Sequence, residues 1–440
     1  MQSTPFDDLK KKVSDLSCAS SVGRVASIDG YCLGVSGLQT EVKLGDRVSV
    51  FRQDGSVLNG DVVRIDADLV TVLPDEAPQQ VALSDRVVST GPIRIAPCDG
   101  SIGRIIDPYG LPLDFRPLPQ GRSIAIQSDP PPAVLRKPFG PRLETGFHLF
   151  NTLLPIVRGQ RLGLFAGSGV GKSTLLADLI RQLQADVVVL ALVGERGREV
   201  REFTQSVLRE DGMKRTVVVA ATADRAATTR QICAQTAVRV AEYFRDQRKQ
   251  VLLCVDSMTR FAEAHREVAV AAGEIPSLQG FPASTSSVLN RLIERSGSGP
   301  DGVGDITSVF TVLVPKSDMD SPIADTLRGV LDGHVVLDRA RAEKGQFPAV
   351  DVLQSISRAL PNAATGEENK ILLKARTLLS KYENASALIS AGLYAEGADP
   401  ELDHAMGFQK VFLQLITGGA GSSIQSSFEA LDLCLRRSKI

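Results

Sequence analysis

Apolar runs alternate with helix-like segments through the middle of the chain, between about residues 142 and 350. Short, almost wholly apolar runs predict parallel strands that are buried on both faces. The segments between them have the length and periodicity of helices. This alternation is typical of an α/β fold with a parallel, doubly wound sheet. The predicted strands lie near residues 161–166, 187–193, 217–221, 251–255, 309–314 and 333–337.

The flanking regions have different patterns. From about residue 22 to 93, short stretches alternate apolar and polar positions between Gly and Asp residues, which predicts a small β-barrel. A Pro- and Gly-rich connector runs from about residue 97 to 141. Beyond about residue 361 the pattern becomes helical, as in residues 367–382, and a second helix is expected to open at Asp399-Pro400.

The N-terminal residues form a short amphipathic pattern. Phe6, Leu9, Val13 and Leu16 would lie on one side of a helix, with lysines and aspartates around them. Two interpretations remain open on this pattern alone, a frayed tail and a docking helix.

The run Ala166-Gly167-Ser168-Gly169-Val170-Gly171-Lys172-Ser173 lies between a predicted strand and a predicted helix at 174–183. That order is the context of a phosphate-binding loop, although Ala166 stands where the general motif has Gly. Glycines allow backbone N–H groups to face phosphate oxygens, and the helix N-terminus favours the same anion. We expect Lys172 to reach the β- and γ-phosphates and Ser173 to bind Mg²⁺. The predicted nucleotide-binding residues are Gly167, Ser168, Gly169, Val170, Gly171, Lys172, Ser173 and Thr174.

Two further strands end in acidic residues, Glu195 after 187–193 and Asp256 after 251–255. Chemistry in open α/β sheets collects beyond the carboxyl ends of the strands. An aspartate there suits the Mg²⁺ environment, and a neighbouring carboxylate can polarise an attacking water. Taken singly, Asp256 could be a helix N-cap and Glu195 a solvated loop charge. Beside a phosphate loop, the catalytic interpretation is favoured.

Composition excludes several classes of protein. The 440 residues include 50 basic and 51 acidic side chains, and the formal net charge is −1. Nucleic-acid-binding proteins usually carry a basic surplus, so we expect no nucleic-acid partner. The apolar runs are far shorter than the roughly 20 residues of a membrane helix. Lysines at 10–12 interrupt any signal-peptide core, and the six cysteines lack metal-ligand spacing, which favours a cytoplasmic protein with reduced thiols.

Four motifs resemble the rotary-type ATPase superfamily: GERGREV at 194–200, DSMTRFA at 256–262, LRGVLDGH at 327–334 and SISR at 355–358. The resemblance is closest to the flagellum-specific export ATPases. In that branch the phosphate loop begins with Ala, which accounts for Ala166. The similarity extends from about residue 20 to the end of the chain.

This resemblance implies an N-terminal β-barrel, a RecA-like nucleotide domain and a C-terminal helical domain, assembled as a six-fold ring with nucleotides at subunit boundaries. The expected segments are an amphipathic docking segment (1–19), the β-barrel (20–95), the connector (96–141), the RecA-like ATPase domain (142–360) and the helical domain (361–440).

The resemblance also implies roles for individual residues. Lys172 and Ser173 would bind phosphate and Mg²⁺, with Asp256 as the second-strand acid. Glu195 would activate or position water, with Arg196 beside it. Arg358 would be an arginine finger that enters the neighbouring subunit's site, although an ordinary surface arginine is the alternative. Tyr382 would lie near the adenine, and a core tyrosine is an equal alternative.

We therefore expect a Mg²⁺-dependent ATPase that energises flagellar type III protein export and releases or unfolds substrates and chaperones at the membrane export gate. The implied partners are other copies in a homohexamer, a dimeric stalk regulator at the N-terminus, export-gate membrane proteins and chaperone–substrate complexes. The expected location is the cytoplasm, at the periphery of the inner-membrane export apparatus.

Other functions are less favoured. A virulence-type injectisome ATPase would have the same chemistry and different cargo. A rotary synthase catalytic subunit usually has Gly and Thr where this chain has Ala166 and Ser173. An RNA translocase would need stacking residues along a positive groove, and the N-terminal domain offers only Tyr31 and Phe51 as aromatics. Glu195 argues against a non-catalytic nucleotide-binding scaffold.

Overall fold

The structure is a computed structural model that describes residues 21–314, 319–417 and 423–437. The predicted docking segment at 1–19 lies outside the described residues. Within the described ranges, no helix combines the length and the hydropathy that crossing a membrane requires.

The first described region is a closed antiparallel barrel, with its strands hydrogen-bonded in the order β1-β2-β5-β4-β3-β6. Alternation along each strand fills the barrel: Val48 and Val50 point inward and are fully buried, while the alternate residues Arg47 and Ser49 are only partly buried. The predicted barrel is therefore confirmed. Its strands are β1 (Val22–Asp29), β2 (Cys32–Ser36), β3 (Asp46–Phe51), β4 (Val57–Ile65), β5 (Val70–Pro74) and β6 (Arg86–Pro92).

Three short strands tie the connector to its neighbours: β7 (Arg94–Ile95), β8 (Ile105–Ile106) and β9 (Ile124–Ala125). β7 pairs with β9, and β8 joins one edge of the central sheet. The connector is thus part of the folded body of the protein.

The central sheet has the order β16-β15-β10-β14-β13-β11-β12-β8, and β16 is antiparallel to its neighbour β15. Alternate residues of β11 pack into different apolar clusters on the two faces, so helices cover both sides. This confirms the predicted parallel, doubly wound α/β core. Besides β8, its strands are β10 (Arg161–Ala166), β11 (Val187–Glu195), β12 (Thr216–Thr222), β13 (Val251–Asp256), β14 (Ile306–Leu313), β15 (Gly333–Leu337) and β16 (Val350–Ser357).

Helices connect the strands and form the C-terminal region. A π-helical turn at Phe203–Val207 joins α3 to α4 below. The described helices are α1 (His148–Asn151), α2 (Lys172–Gln182), α3 (Gly197–Glu202), α4 (Arg209–Met213), α5 (Ala227–Asp246), α6 (Met258–Ala271), α7 (Ser284–Glu294), α8 (Pro322–Val330), α9 (Arg339–Glu343), α10 (Gly366–Ser390), α11 (Pro400–Thr417) and α12 (Ile424–Arg437).

The three C-terminal helices pack on the same apolar cluster as one face of the sheet, which includes Phe408, Phe412 and Leu431. Asp399 accepts hydrogen bonds from two backbone N–H groups in the first turn of α11, which explains why that helix starts where the sequence predicts. The predicted C-terminal helical region is confirmed.

Candidate active site

The phosphate loop follows β10 and leads into α2. Gly169 and Gly171 have φ values of 76° and 87°, a left-handed conformation that other residues rarely adopt. Gly171 is also the N-cap of α2, and an added Cβ there would lie 3.2 Å from the Phe347 ring. The loop is therefore shaped by glycine, and it opens at the N-terminus of an eleven-residue helix. This arrangement suits an anion.

Lys172 and Asp256 form an ion pair at the carboxyl edge of the sheet. Lys172 is the first residue of α2, and Asp256 is the last residue of β13. The Asp256 side chain is 4% exposed, and its Oδ1 also accepts a 2.6 Å hydrogen bond from Thr311 Oγ1 on β14. Because a buried carboxylate needs such partners, the pair fixes both side chains at the mouth of the phosphate loop.

Glu195 ends β11, the strand beside β13, and is partly buried. Burial raises the pKa of its carboxyl to about 7, helped by a hydrogen bond to Glu199 and by the negative charge of Asp256, while Lys172 acts in the opposite direction. The hydrogen bond from Glu195 lowers the pKa of Glu199. Glu195 is thus a carboxyl group poised to exchange a proton near neutral pH.

Arg196 and Arg260 lie around this pair of carboxyls. The Arg196 side chain is 79% exposed and pairs with Glu199 at 3.2 Å. Arg260 pairs with Glu263 at 2.8 Å on α6, and its Cβ lies beside Gly194. Both arginines are on the surface that borders Glu195.

A cavity of about 530 Å³ adjoins the phosphate loop. Phe347 lies on its wall with 49% of its surface exposed, opposite the end of α11 at Ile416 and Thr417. Thr174 also lines the cavity. An exposed aromatic ring beside a phosphate site can stack on a planar base. The cavity-lining residues are Phe147, Gly169, Val170, Gly171, Thr174, Leu175, Asp178, Leu337, Phe347, Pro348, Ala349, Ile416 and Thr417.

Tyr382, which the resemblance places near the adenine, does not line this cavity. It lies on α10 and packs, partly buried, against the apolar cluster beneath the C-terminal helices. Phe347 is the exposed aromatic side chain on the cavity wall. It is not among the predicted site residues, because it precedes β16, a strand that the pattern did not predict.

Arg358 lies near the amino-terminal ends of the parallel strands, whereas the phosphate loop lies at their carboxyl ends. It follows β16, which runs against β15, so that Ser357 pairs with Gly333 at the start of β15. Arg358 is exposed, its backbone N–H donates to Asp332 O, and its Nη2 donates to Arg328 O. The structure therefore brings Lys172, Glu195 and Asp256 together and leaves Arg358 apart from them.

The donor set fits a Mg²⁺ ion. Ser173 is exposed on the first turn of α2, next to Lys172, and Asp256 offers a carboxylate at the same mouth. Hydroxyl and carboxylate oxygens are the ligands that Mg²⁺ takes, together with phosphate oxygens and water.

Profiles of two known families match the chain. The ATP synthase alpha/beta family, nucleotide-binding domain, matches residues 146–357. The type III secretion system EscN ATPase C-terminal domain matches residues 364–429. The first match contains the phosphate loop and both strand-end acids, and the second covers much of α10 to α12.

Individual proteins are similar over nearly the whole chain. The flagellum-specific ATP synthase of Bacillus subtilis (strain 168) is 42% identical over 401 residues, which cover 90% of this chain and 91% of that protein. The assembled ATPase EscN of the enteropathogenic E. coli type III secretion system has 37% identity and a TM-score of 0.87, covering 94% of this chain and all of that one. EscN in complex with its central stalk EscO, at 36% identity with the same coverage, has a TM-score of 0.84.

Proposed function

The chain belongs to the family of the flagellum-specific and type III secretion ATPases, and on that premise we propose that it is a Mg²⁺-dependent ATP hydrolase that energises flagellar type III protein export. The observation that carries the catalytic part is the position of Glu195. Its proton-exchanging carboxyl lies at the strand end beside the Lys172–Asp256 pair, at the mouth of a phosphate-binding loop.

The side chains divide the chemistry among them. The N–H groups of the phosphate loop and Lys172 bind the phosphates, and the Phe347 cavity takes the base. Ser173 and Asp256 would hold Mg²⁺, which would neutralise charge at the phosphates. Glu195 in its ionised form accepts the proton of the attacking water. Arg196, at the surface beside Glu199, sets the charge around this base.

The active assembly that we propose is a homohexameric ring. Arg358 cannot serve the site of its own subunit, because it lies at the ends of the strands that face away from the phosphate loop. In the ring it reaches the site of the next subunit. There it stabilises the charge that develops on the transferring phosphoryl group. The solved relative with a central stalk supports a stalk partner for this chain too, and we propose that residues 1–19 dock it.

The substrates that we propose are chaperone–cargo complexes brought to the membrane export gate, with the ring at the periphery of the inner membrane. Injectisome export is the second candidate, because the C-terminal region matches the EscN ATPase C-terminal domain. The two functions share the ATPase chemistry and differ in cargo.

The first test replaces Glu195 by Gln. This E195Q variant should bind ATP with unchanged affinity and lose turnover, because the amide keeps the shape of the side chain and cannot accept the proton. Turnover is measured as phosphate release, and binding with a fluorescent ATP analogue. E202Q is the matched control, since Glu202 is an exposed glutamate on α3, the short helix that follows Glu195. Lys172→Ala should lose binding itself.

Persistent turnover in E195Q would remove Glu195 as the base, and turnover in Lys172→Ala would remove this site as the ATPase centre. The machine is tested separately by affinity capture from the source cytoplasm, with and without residues 1–19. Flagellar export components, with loss of a stalk regulator on truncation, support the proposal. Injectisome chaperones would instead assign the chain to the second candidate.

A further inference from the structure

A polar cluster joins the barrel to the nucleotide-binding core. Arg47 of β3 pairs with Asp61 of β4 at 3.1 Å and with Asp75 after β5. Its Nη1 donates a 2.8 Å hydrogen bond to the hydroxyl of Tyr109 in the connector, and its guanidinium lies 4.1 Å from the centre of that ring. Arg47 is only 15% exposed, and its three partners, Asp61, Asp75 and Tyr109, fix it in one position.

The same turn of the connector contacts α5 at two points. The Tyr109 hydroxyl lies 3.3 Å from Thr229 Oγ1, and Thr236 Oγ1 donates a 2.6 Å hydrogen bond to Pro108 O. Thr229 is in the first turn of α5 and Thr236 is two turns further on. The connector therefore fixes the position of the first turns of α5 along the helix axis and their rotation about that axis.

The start of α5 is in turn attached to the backbone of Glu195. The loop between β12 and α5 bonds to that residue, because Ala223 N–H donates to Glu195 O at 3.0 Å. Arg230, in the first turn of α5, donates to Arg225 O in this loop and pairs with Glu267 at 2.7 Å. Its Cδ also lies about 3.6 Å from where a Cβ on Gly194 would be.

The cluster contains groups that an inert structural contact would not need. The hydroxyl of Thr228, in the first turn of α5, is buried beside the carboxylate of Asp61, which is only 7% exposed, and the two side chains interact directly across the contact between the barrel and α5. Apolar side chains would bury the same surface with a smaller desolvation penalty. The directional contacts of these polar groups instead fix one arrangement of the barrel relative to α5.

We propose that Arg47, Tyr109 and Thr229 are positioning residues for ATP hydrolysis. They hold the start of α5 in place, and through the loop before α5 they hold the backbone of Glu195, so that its carboxylate is positioned to meet the attacking water. The inference rests on the proposed function. It makes the barrel, which carries no catalytic group, a determinant of turnover.

The test removes single hydroxyl groups at the two ends of the Tyr109–Thr229 contact. Tyr109→Phe keeps the ring beneath Arg47, and Thr229→Val keeps the shape of the side chain. Thr229→Val should lower kcat about three- to tenfold, as expected for one lost hydrogen bond, and Tyr109→Phe at least as much, because it also loses the hydrogen bond from Arg47. The KM for ATP should stay within about twofold because the phosphate loop is untouched. The double variant should be no slower than Tyr109→Phe alone, since that variant already breaks the contact with Thr229. Tyr243→Phe, on the same helix and packed against Phe244, should match the wild type.

Amide hydrogen exchange gives a second measurement that does not depend on catalysis. In Tyr109→Phe and Thr229→Val, exchange over residues 223–229 should quicken, and in Tyr243→Phe it should not. Unchanged kcat and unchanged exchange would overturn the inference, as would losses that multiply in the double variant. A wild-type protein without ATP turnover would refute the proposed function, and the exchange data would then decide the positioning contact by themselves.

Discussion

At the scale of single residues, the site is governed by two carboxyl groups that share one proton. Burial and the nearby Asp256 disfavour a charge on Glu195, and Glu199 accepts its hydrogen bond. Arg196 favours the ionised form of Glu199. Since opposing environments separate the proton affinities of such pairs, Glu195 carries the proton and Glu199 the charge near neutral pH.

This arrangement predicts the pH dependence of turnover. A general base acts only when ionised, so kcat/KM should rise with pH through the Glu195 pKa of about 7 and level off above it. Glu199→Gln removes the negative acceptor that raises this pKa, and the rise should move to lower pH. Phosphate release measured between about pH 5.5 and about pH 9 tests both statements. A flat profile, or an unchanged midpoint in Glu199→Gln with Glu202→Gln as the control, contradicts them.

Local motifs were visible in the sequence at this scale, and tertiary neighbours were not. Glu195 and Asp256 each follow an apolar run and Lys172 follows another across the phosphate loop, so their positions at the carboxyl ends of the strands followed from the pattern. Phe347 lies in a segment without such a signal and reaches the phosphate loop only through the fold. Tyr382 has helical spacing, which cannot tell a core position from a base contact.

At the scale of elements, the features that the sequence pattern did not predict are mostly the strand β16 and the positions of the residues at its two ends. It alternates buried and exposed residues, because it lies at the edge of the sheet, whereas the predicted central strands are continuously apolar. Because β16 runs in the reverse direction, Phe347, just before the strand, lies near the phosphate loop at the carboxyl ends of the parallel strands. Arg358, just after β16, lies near their amino-terminal ends. Direction within a sheet is set by pairing partners, which one segment's pattern does not contain.

Helix α10 offers a test of local helix energetics. Thr365 Oγ accepts the Glu368 N–H at 3.2 Å, and Glu368 Oε2 accepts the Thr365 N–H at 2.7 Å, a capping box. Thr365→Ala should lower the free energy of unfolding by about 1 kcal/mol, measured in urea, and Thr365→Ser should stay close to the wild type. Equal stability of Ala and Ser variants would show that the cap contributes nothing.

At the scale of the whole molecule, the length of the sheet separates Arg358 from the phosphate loop. Arg358 is level with the start of β15, and the phosphate loop follows the opposite ends of the strands, a separation of roughly five residues at about 3.3 Å each. An arginine in that place cannot approach a phosphate bound to its own chain. A head-to-tail arrangement of copies, closed into a ring, is the geometry that can bring the two halves together.

Mixed rings test this division of labour. Arg358→Ala and Glu195→Gln should each abolish most turnover in uniform rings, the first because loss of an arginine finger costs about 10³–10⁵ in rate. Mixed in equal amounts, the two variants create boundaries at which an intact Glu195 meets an intact Arg358. For random head-to-tail assembly about one boundary in four is complete, so phosphate release should recover to about a quarter of the wild-type rate.

The control mixture pairs Glu195→Gln with the double variant Glu195→Gln, Arg358→Ala, which assembles equally well and contains no complete boundary. It should stay inactive, so that any recovery in the first mixture comes from complementing sites and not from improved assembly. If rings of the first mixture are confirmed by mass and still release no phosphate, Arg358 does not act across the boundary. The exposed arginine behind β16 would then be an ordinary surface residue, and the charge on the transferring phosphoryl group would have to be stabilised within each subunit, where Lys172, Arg196 and Arg260 are the cations near Glu195.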